Sequence, residues 1–516
     1  MIVQLHDEPS ADRLTARYVG FSEAPPVNAA QFVIIDCPSG RRFLGQVTGP
    51  NLNFNRNSLS PTDNTAINQA EHIASGRMAR DVAVNEVFYY ELRLLKEIVD
   101  GAASSVRVRP QISSTARRGT DAEIIQFLNL PEINAETQIG SIIDTEVPIC
   151  ISKRVLMTHA LVAGSTGCGK SNTIANIDRA AINHGMAVIK FDHKPDYQNV
   201  HEPNDEGFGD HYAPLSEDIE FWHIGESFNV PGRKEKIISV PARDLDLAIL
   251  AATIFYRDNE GLMRDAFYTI LAEYAQDNSD KNWSMETFKP WLQSLNKNTA
   301  PGQPEERTLG AIKRRMSHHG RIPVWVDAKS KSRPGDEFLG LRDREEPFRV
   351  ERLVAPGKAC VIRVGAGAGD GRDYALLLSY ILDKVSQIPK LPCPVLIDID
   401  EAQDIFSASR AVRDAATNKL DEHVRKGRSK RIGFIFGVQS SESVPDTIMN
   451  NLNNRFIHRH NSPDELRVAA SMATDEQRKL TATFSPGECL TFLFGANSIV
   501  HAQMRLSPFK LTKEEL

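Results

Sequence analysis

Up to residue 115 the apolar positions come in short runs and alternations, which is the pattern of strands. Gln31–Cys37 is rich in Val and Ile, Pro38-Ser39-Gly40 makes a turn, and Arg41–Thr48 returns, so the pair reads as a hairpin. Val87–Leu95 sets Phe88, Tyr90, Leu92 and Leu94 on one face and Glu91 and Arg93 on the other. Several short strands in one stretch predict a small β-barrel. Asn51–Asn64, rich in Asn, Ser and Pro, reads as a loop. Thr120-Asp121-Ala122-Glu123 is a capping box that opens a helix through Leu130, stopped by Pro131. Gly140–Ile151 reads as extended.

Beyond residue 150 the pattern changes. Apolar runs too continuous for a half-exposed strand (Ala160–Ala163 and the end of Gly185–Asp192) flank a helical stretch, Asn172–Ile182. Strand, helix, strand at that spacing predicts a βαβ unit and a parallel sheet. The sheet resumes with Ala359–Val364, a helix over Asp373–Gln387, a buried strand opening Pro394–Gln403, a helix within 411–431 and a strand at Ile432–Val438. The Gly365–Gly371 loop carries no lysine and reads as a turn rather than a phosphate site. Between the two halves, Asp244–Ala275 has helical periodicity (Leu247, Leu250, Ala251, Ile254, Phe255), Asn278–Pro304 is polar and loop-rich, and Lys329–Glu346 is charged and exposed. The expected fold class is α/β, in three parts. Residues 1–150 form a small N-terminal barrel with a connector, 151–200 and 351–516 form a core, and 201–350 is a mostly helical insertion.

At 516 residues, two or three domains are expected. The net charge of −6 carries no global basic signature, so any contact with nucleic acid must be local. The six cysteines are scattered without a C-x-x-C, which fits reduced thiols and offers no zinc pattern. No apolar run is long enough to span a membrane and no leader pattern opens the chain, so the expectation is a cytoplasmic protein without a membrane partner. Lys313-Arg314-Arg315, near His318, His319 and Arg321, reads first as a solvated helix face; a nucleic-acid contact is the competing reading.

The candidate chemistry begins at Gly164, where Gly164-Ser165-Thr166-Gly167-Cys168-Gly169-Lys170-Ser171 is a complete G-x-x-x-x-G-K-S between strand and helix, followed by Asn172. Glycines at 164, 167 and 169 let the backbone approach phosphate oxygens, and the loop N–H groups with the helix N-terminus point at the anion. Lys170 would reach the β- and γ-phosphates of ATP, and Ser171 would place its hydroxyl on Mg²⁺.

Asp192, with Lys194 and Asp196 after it, ends a strand beside this loop, where ligands gather in open α/β sheets; a solvated loop acid is the equal alternative. A second apolar strand ends in Asp400-Glu401. Asp400 would hold Mg²⁺ and Glu401 would activate the attacking water, since phosphoryl transfer to water needs a positioned nucleophile. Asp398 shares the strand face with Asp400, and the following Glu401 favours Asp400. Gln439, at the end of the next strand, could sense the γ-phosphate. Five of the seven residues Arg425–Arg431 are basic. Arg425 or Arg428 could act in a neighbouring subunit's site or clamp DNA phosphates, and a solvated helix end is the third reading.

This succession resembles the HerA family of ring-shaped DNA translocases, within the HerA–FtsK class. The matching stretches are Thr158–Thr173, Asp192–Tyr197, Leu396–Gln403 and Arg425–Ser440. Cys168 replaces the family's usual serine, Asp192-His193-Lys194-Pro195-Asp196 replaces its Asp-Pro-x-Gly-Glu-like turn, and Asp400-Glu401-Ala402-Gln403 stands for its Asp-Glu-Ala-His. The resemblance covers the barrel and the core and is poor over 200–350. It implies a RecA-like core, a homohexameric ring threaded by double-stranded DNA, and a separate effector subunit, either a nuclease or a sirtuin-like NAD hydrolase. The divergent insertion favours an anti-phage defence member. Arg154 is a further candidate to act in trans. The rival reading is an ATPase scaffold ring that assembles and regulates an effector without translocating. A nucleotide kinase fits less well.

Overall fold

The computed structural model describes residues 30–48, 86–111, 114–200, 219–224, 236–317, 348–363, 371–406 and 408–511. It also describes the short strands at 2–4, 15–20 and 52–55 and the isolated residues 202, 204, 323 and 325–327. Most of Asn51–Asn64, the pair His318-His319 with Arg321, the segment Lys329–Glu346 and most of the Gly365–Gly371 loop lie outside the described residues. The chain forms two compact units. One comprises Met1–Asn134, Gly140–Cys150 and Ile457–Met504; the other comprises Ala135–Ile139, Ile151–Phe456 and Arg505–Leu516.

The first unit is built on strands β1 (Ile2–Gln4), β2 (Thr15–Gly20), β3 (Phe32–Asp36), β4 (Arg42–Val47), β5 (Leu52–Asn55), β6 (Glu86–Val99), β7 (Ala102–Ser104) and β8 (Thr115–Arg118). Their pairing follows the order β2-β1-β8-β3-β4-β6-β5, and β2 also pairs with β6, so the path returns on itself. The β3–β4 hairpin is antiparallel, with Ile34 opposite Leu44. The inward side chains Tyr18, Val33, Ile35, Phe43, Leu92 and Leu94 form its core. Helix α1 (Asp121–Leu128) carries the capping box at Thr120 and ends on Asn129 in the left-handed conformation. Strands β9 (Gln138–Ile142) and β10 (Pro148–Cys150) follow.

The second unit contains a parallel sheet. Its first parts are α2 (Lys153–Leu156), β11 (Ala160–Ala163), α3 (Lys170–Asn183), β12 (Ala187–Asp192), β13 (Ile219–His223) and β14 (Lys236–Ile237). A helical region follows: α4 (Leu247–Ile254), α5 (Gly261–Asp277), α6 (Met285–Ser294) and α7 (Glu306–Ser317). Then come α8 (Val350–Leu353), β15 (Ala359–Arg363), α9 (Arg372–Gln387), β16 (Val395–Ile399), α10 (Gln403–Phe406), α11 (Arg410–Lys430), β17 (Ile432–Val438), α12 (Asp446–Met449) and β18 (Asn454–Ile457). The strand order is β18-β11-β17-β16-β12-β15-β13-β14. Strand β17 therefore stands between β11 and β16, all three parallel. Every residue of β11, β12, β16 and β17 is buried, which is why these strands are apolar but for Lys190 and Asp192 in β12 and Asp398 in β16.

Two expectations need correction. Asn278–Pro304, read as loop, holds helix α6. Its apolar stripe Met285, Phe288 and Leu292 is masked by polar neighbours in the sequence. Residues 457–504, expected within the core, belong to the first unit. There β19 (Glu488–Phe492) and β20 (Val500–Met504) form an antiparallel hairpin, and β20 pairs with β9. Buried Gln46 ties the segment in: its amide donates to Ala30 O and Ile499 O, both at 3.1 Å, and its carbonyl accepts from Gln477 Nε2 at 3.2 Å. Among the described residues no helix is long and apolar enough to cross a membrane.

Candidate active site

The loop between β11 and α3 has the backbone that its glycines permit. Gly167 and Gly169 have φ of +76° and +106°, which L side chains rarely adopt, and Gly164 sits at +157°. Helix α3 starts at Lys170 with no side chain capping it, which leaves its first N–H groups to serve a ligand. Lys170 Nζ folds back on the loop, donating to Gly164 O at 2.7 Å and Ser165 O at 3.0 Å. Burial pushes its ammonium below the ordinary lysine value. Thr166 is exposed at the loop tip and Cys168 is buried beneath it. Asn172 faces a different duty. Its amide donates to Arg505 O and its carbonyl accepts from Ser507 N, so the side chain expected at the nucleotide anchors the backbone after β20.

The acids come from two neighbouring strand ends. Asp400 and Glu401, past β16, are only 6 % and 5 % exposed. Burial pushes the Asp400 carboxyl up to about 7, with Lys190 opposing and Glu401, Asp398 and Asp196 adding to the rise. Glu401 has φ of +48°, a conformation rare for a residue with a side chain and characteristic of functional sites. It accepts from Lys194 Nζ at 2.7 Å, from Gln439 Nε2 at 2.6 Å and from the Gln403 amide. Burial raises its carboxyl, but these donors together hold it below the usual value. Asp196 is raised by burial and hydrogen-bonds the Ser171 hydroxyl, so the turn after β12 touches the P-loop helix.

Asp398 and Asp400 have different surroundings. Asp398 Oδ2 pairs with Lys190 Nζ at 2.6 Å, both side chains almost wholly buried. Asp178 joins them, raised by burial and by the Asp398 charge, and accepts the Tyr197 hydroxyl at 2.6 Å. Asp398 is thus a structural charge; Asp400 is the acid at the sheet edge.

Gln439 connects the parts. Its carbonyl accepts from Thr166 Oγ1 at 3.0 Å and its amide donates to Glu401. Strand β17 lies between β11 and β16, so its terminal residue spans the gap between their ends. Sequence reading placed Gln439 beside the Asp400-Glu401 strand and Lys194 and Asp196 beside the P-loop, but not the Gln403–Glu401 contact, nor the Lys194–Glu401 and Ser171–Asp196 contacts, which depend on the sheet order. Arg425 and Arg428 lie on the exposed face of α11, and Arg425 pairs with Asp421 at 2.5 Å. Arg154 is exposed on α2. Buried His159 holds α11 to β17: Nε2–H donates to Val424 O at 2.9 Å and Nδ1 accepts from Phe434 N at 3.2 Å.

Among the described residues no cluster of three or more His, Cys, Asp or Glu side chains is arranged to hold a metal ion by itself. The donor set fits Mg²⁺ arriving with a nucleotide, which needs one or two protein oxygens beside phosphate and water. Ser171 and Asp400 would supply them, and the raised Asp400 carboxyl marks a buried acid that a cation would stabilise in its charged form.

A parallel sheet in this order, a P-loop on β11 and an acid pair past β16 are the arrangement of a P-loop ATPase with a RecA-like core. Within that class the chain is similar to HerA-family proteins. Residues 137–337 match the family model described as "Helicase HerA, central domain". The chain is 22 % identical over 455 residues to the DNA double-strand break repair helicase HerA of Sulfolobus acidocaldarius, covering 84 % of this chain and 78 % of that protein. It is 21 % identical over 389 residues to the HerA of Sulfurisphaera tokodaii, covering 71 % and 67 %. Two solved structures share the fold. The plasmid coupling protein TrwB, in complex with ADP and Mg²⁺, has a TM-score of 0.51 at 13 % identity over 77 % of this chain and 94 % of that one. VirB4 of Thermoanaerobacter pseudethanolicus gives 0.51 at 13 % over 73 % and 98 %. The family match runs through residues 201–337, where the motif-based resemblance is poor.

Proposed function

We propose that the chain is an ATP-hydrolysing motor that moves double-stranded DNA, acting as a homohexameric ring with a separate effector subunit. The observation that carries this reading is the bridge from Thr166 through Gln439 to Glu401, which links the phosphate loop to the acid that would activate water. It is supported by the two archaeal relatives described as DNA double-strand break repair helicases.

In this reading Gly164, Thr166, Gly167, Cys168 and Gly169 cradle the phosphates with their backbone, and Lys170 leaves its carbonyl partners for the β- and γ-phosphates. Ser171 and Asp400 hold Mg²⁺, which neutralises charge on the phosphates when bound. Glu401 takes a proton from the attacking water, the bond to the leaving ADP breaks, and Gln439 registers the loss of the γ-phosphate. Asn172 keeps its place as a structural anchor. Arg425 or Arg428 reaches the adjacent subunit's nucleotide, with Arg154 a weaker candidate. Residues 1–150 serve as a barrel like that preceding the family's motors, and 201–350 is a mostly helical insertion. The effector is a nuclease or a sirtuin-like NAD hydrolase, the setting anti-phage defence, and the compartment the cytoplasm.

The test is ATP hydrolysis by the purified chain with and without linear double-stranded DNA, beside Glu401→Gln. Stimulation by DNA that the substitution removes, by about a hundredfold or more, is the expected result. Hydrolysis indifferent to DNA in an intact ring would shift the reading to a scaffold, and phosphate transfer to a nucleoside monophosphate would shift it to a kinase.

A further inference from the structure

Lys194 lies outside the phosphate-binding motif but stands beside it. It follows β12, and its ammonium meets Glu401 Oε1 at 2.7 Å, with side-chain exposures of 36 % for Lys194 and 6 % for Glu401. Its charge reaches Lys170 and the acids at the sheet edge: it depresses the Lys170 ammonium and is itself held up by Glu401, Asp400 and Asp196 against the effect of burial. Glu401 already receives the amides of Gln439 and Gln403. A carboxylate with three donors on it, one of them cationic, has little capacity left to take a proton from water. A lysine, by contrast, is a mobile point charge on a flexible stem, able to change partners without disturbing the backbone.

We propose that Lys194 is a second phosphate cation that holds Glu401 while no triphosphate is bound and moves to the γ-phosphate of ATP when one is. The move removes one of the two donors on Glu401 Oε1, which keeps the Gln439 amide at 2.6 Å, and so opens a place there for the attacking water; the resting contact makes the empty site a poor catalyst. It also gives the site a preference for triphosphate over diphosphate, because only the triphosphate offers Lys194 a new anion. The inference rests on reading the site as that of an ATPase.

The experiment measures the binding of a non-hydrolysable ATP analogue and of ADP, each with Mg²⁺, to the full chain. The variants are Lys194→Met, Lys194→Arg, Glu401→Gln and the double variant Glu401→Gln with Lys194→Met. Lys194→Met is expected to lose about tenfold or more in affinity for the analogue while ADP affinity stays within about twofold, and Lys194→Arg to keep most of both. Retained ADP affinity also reports that the variant is folded; Lys194→Gln, which keeps a donor for Glu401 without the charge, replaces the methionine variant if that one does not fold. The selective loss is expected again in the Glu401→Gln background. Equal changes for both nucleotides, no change, or a loss that vanishes once Glu401 is replaced would overturn the inference and leave the ATPase reading intact. A wild-type chain that binds neither nucleotide would overturn both.

Discussion

A Cβ built on Gly437 would lie 2.9 Å from Asp400 Oδ1, closer than real Cβ contacts allow. The same Cβ would also meet Ile174 Cδ1 at 2.9 Å. The candidate metal ligand thus leans on the bare backbone of the neighbouring strand. Gly437→Ala is expected to destabilise the chain by about 2 kcal/mol through overpacking. It should also lower ATP hydrolysis about tenfold or more by displacing Asp400. Urea denaturation and steady-state hydrolysis check the two effects, and a variant with unchanged turnover would remove Asp400 from the site.

The Asp400 carboxyl, raised from 3.8 to about 7 by burial, sets a pH dependence. Because the folded value lies above the unfolded one, this group's contribution to stability is present below 3.8 and is lost as pH rises towards 7. Binding of Mg²⁺ with nucleotide requires the ionised form. Calorimetry in buffers of different ionisation enthalpy should therefore find about one proton released well below pH 7 and almost none well above it. Proton release independent of pH would show that Asp400 does not bind the metal.

The buried pair of Lys190 and Asp398 anchors β12 to β16. Lys190→Met leaves Asp398 facing Asp178 without a cation and is expected to cost about 3–5 kcal/mol, measured by denaturant unfolding. Adding Asp398→Leu should recover a large part of that loss. A single variant as stable as the wild type would show the pair to be dispensable.

Burial lowers the His159 ring from 6.5 to about 4, so it remains neutral while it joins Val424 O to Phe434 N. A depressed folded value means that its contribution is present above 6.5 and is lost as pH falls towards 4. That loss amounts to about 3 kcal/mol. Stability measured across this range should fall more steeply for the wild type than for His159→Gln.

Much of the parallel sheet was legible in the chain. Ala160–Ala163 and Ile432–Val438 are buried on both faces, so their apolar runs could be read directly, and Gly164–Ser171 combines glycine backbone freedom with a lysine in a strict local order. Helix α6 escaped because a narrow stripe of Met285, Phe288 and Leu292 is outnumbered by polar neighbours. Residues 457–504 escaped because Gln46 meets Ile499 and Gln477 across most of the chain's length, a pairing that no local period records.

By itself the sequence determined the core strands Ala160–Ala163 and Ile432–Val438, the phosphate loop and the acids that end the buried strands, because each of these depends on a few consecutive residues. The order of the strands was decided only in three dimensions. With β17 between β11 and β16, Gln439 spans Thr166 and Glu401. With β12 next to β16, Lys190 neutralises Asp398, Lys194 comes to Glu401, and Asp400 is left as the acid at the edge. Charges buried at strand ends find partners across the sheet, and which residues lie across the sheet depends on how the strands pack.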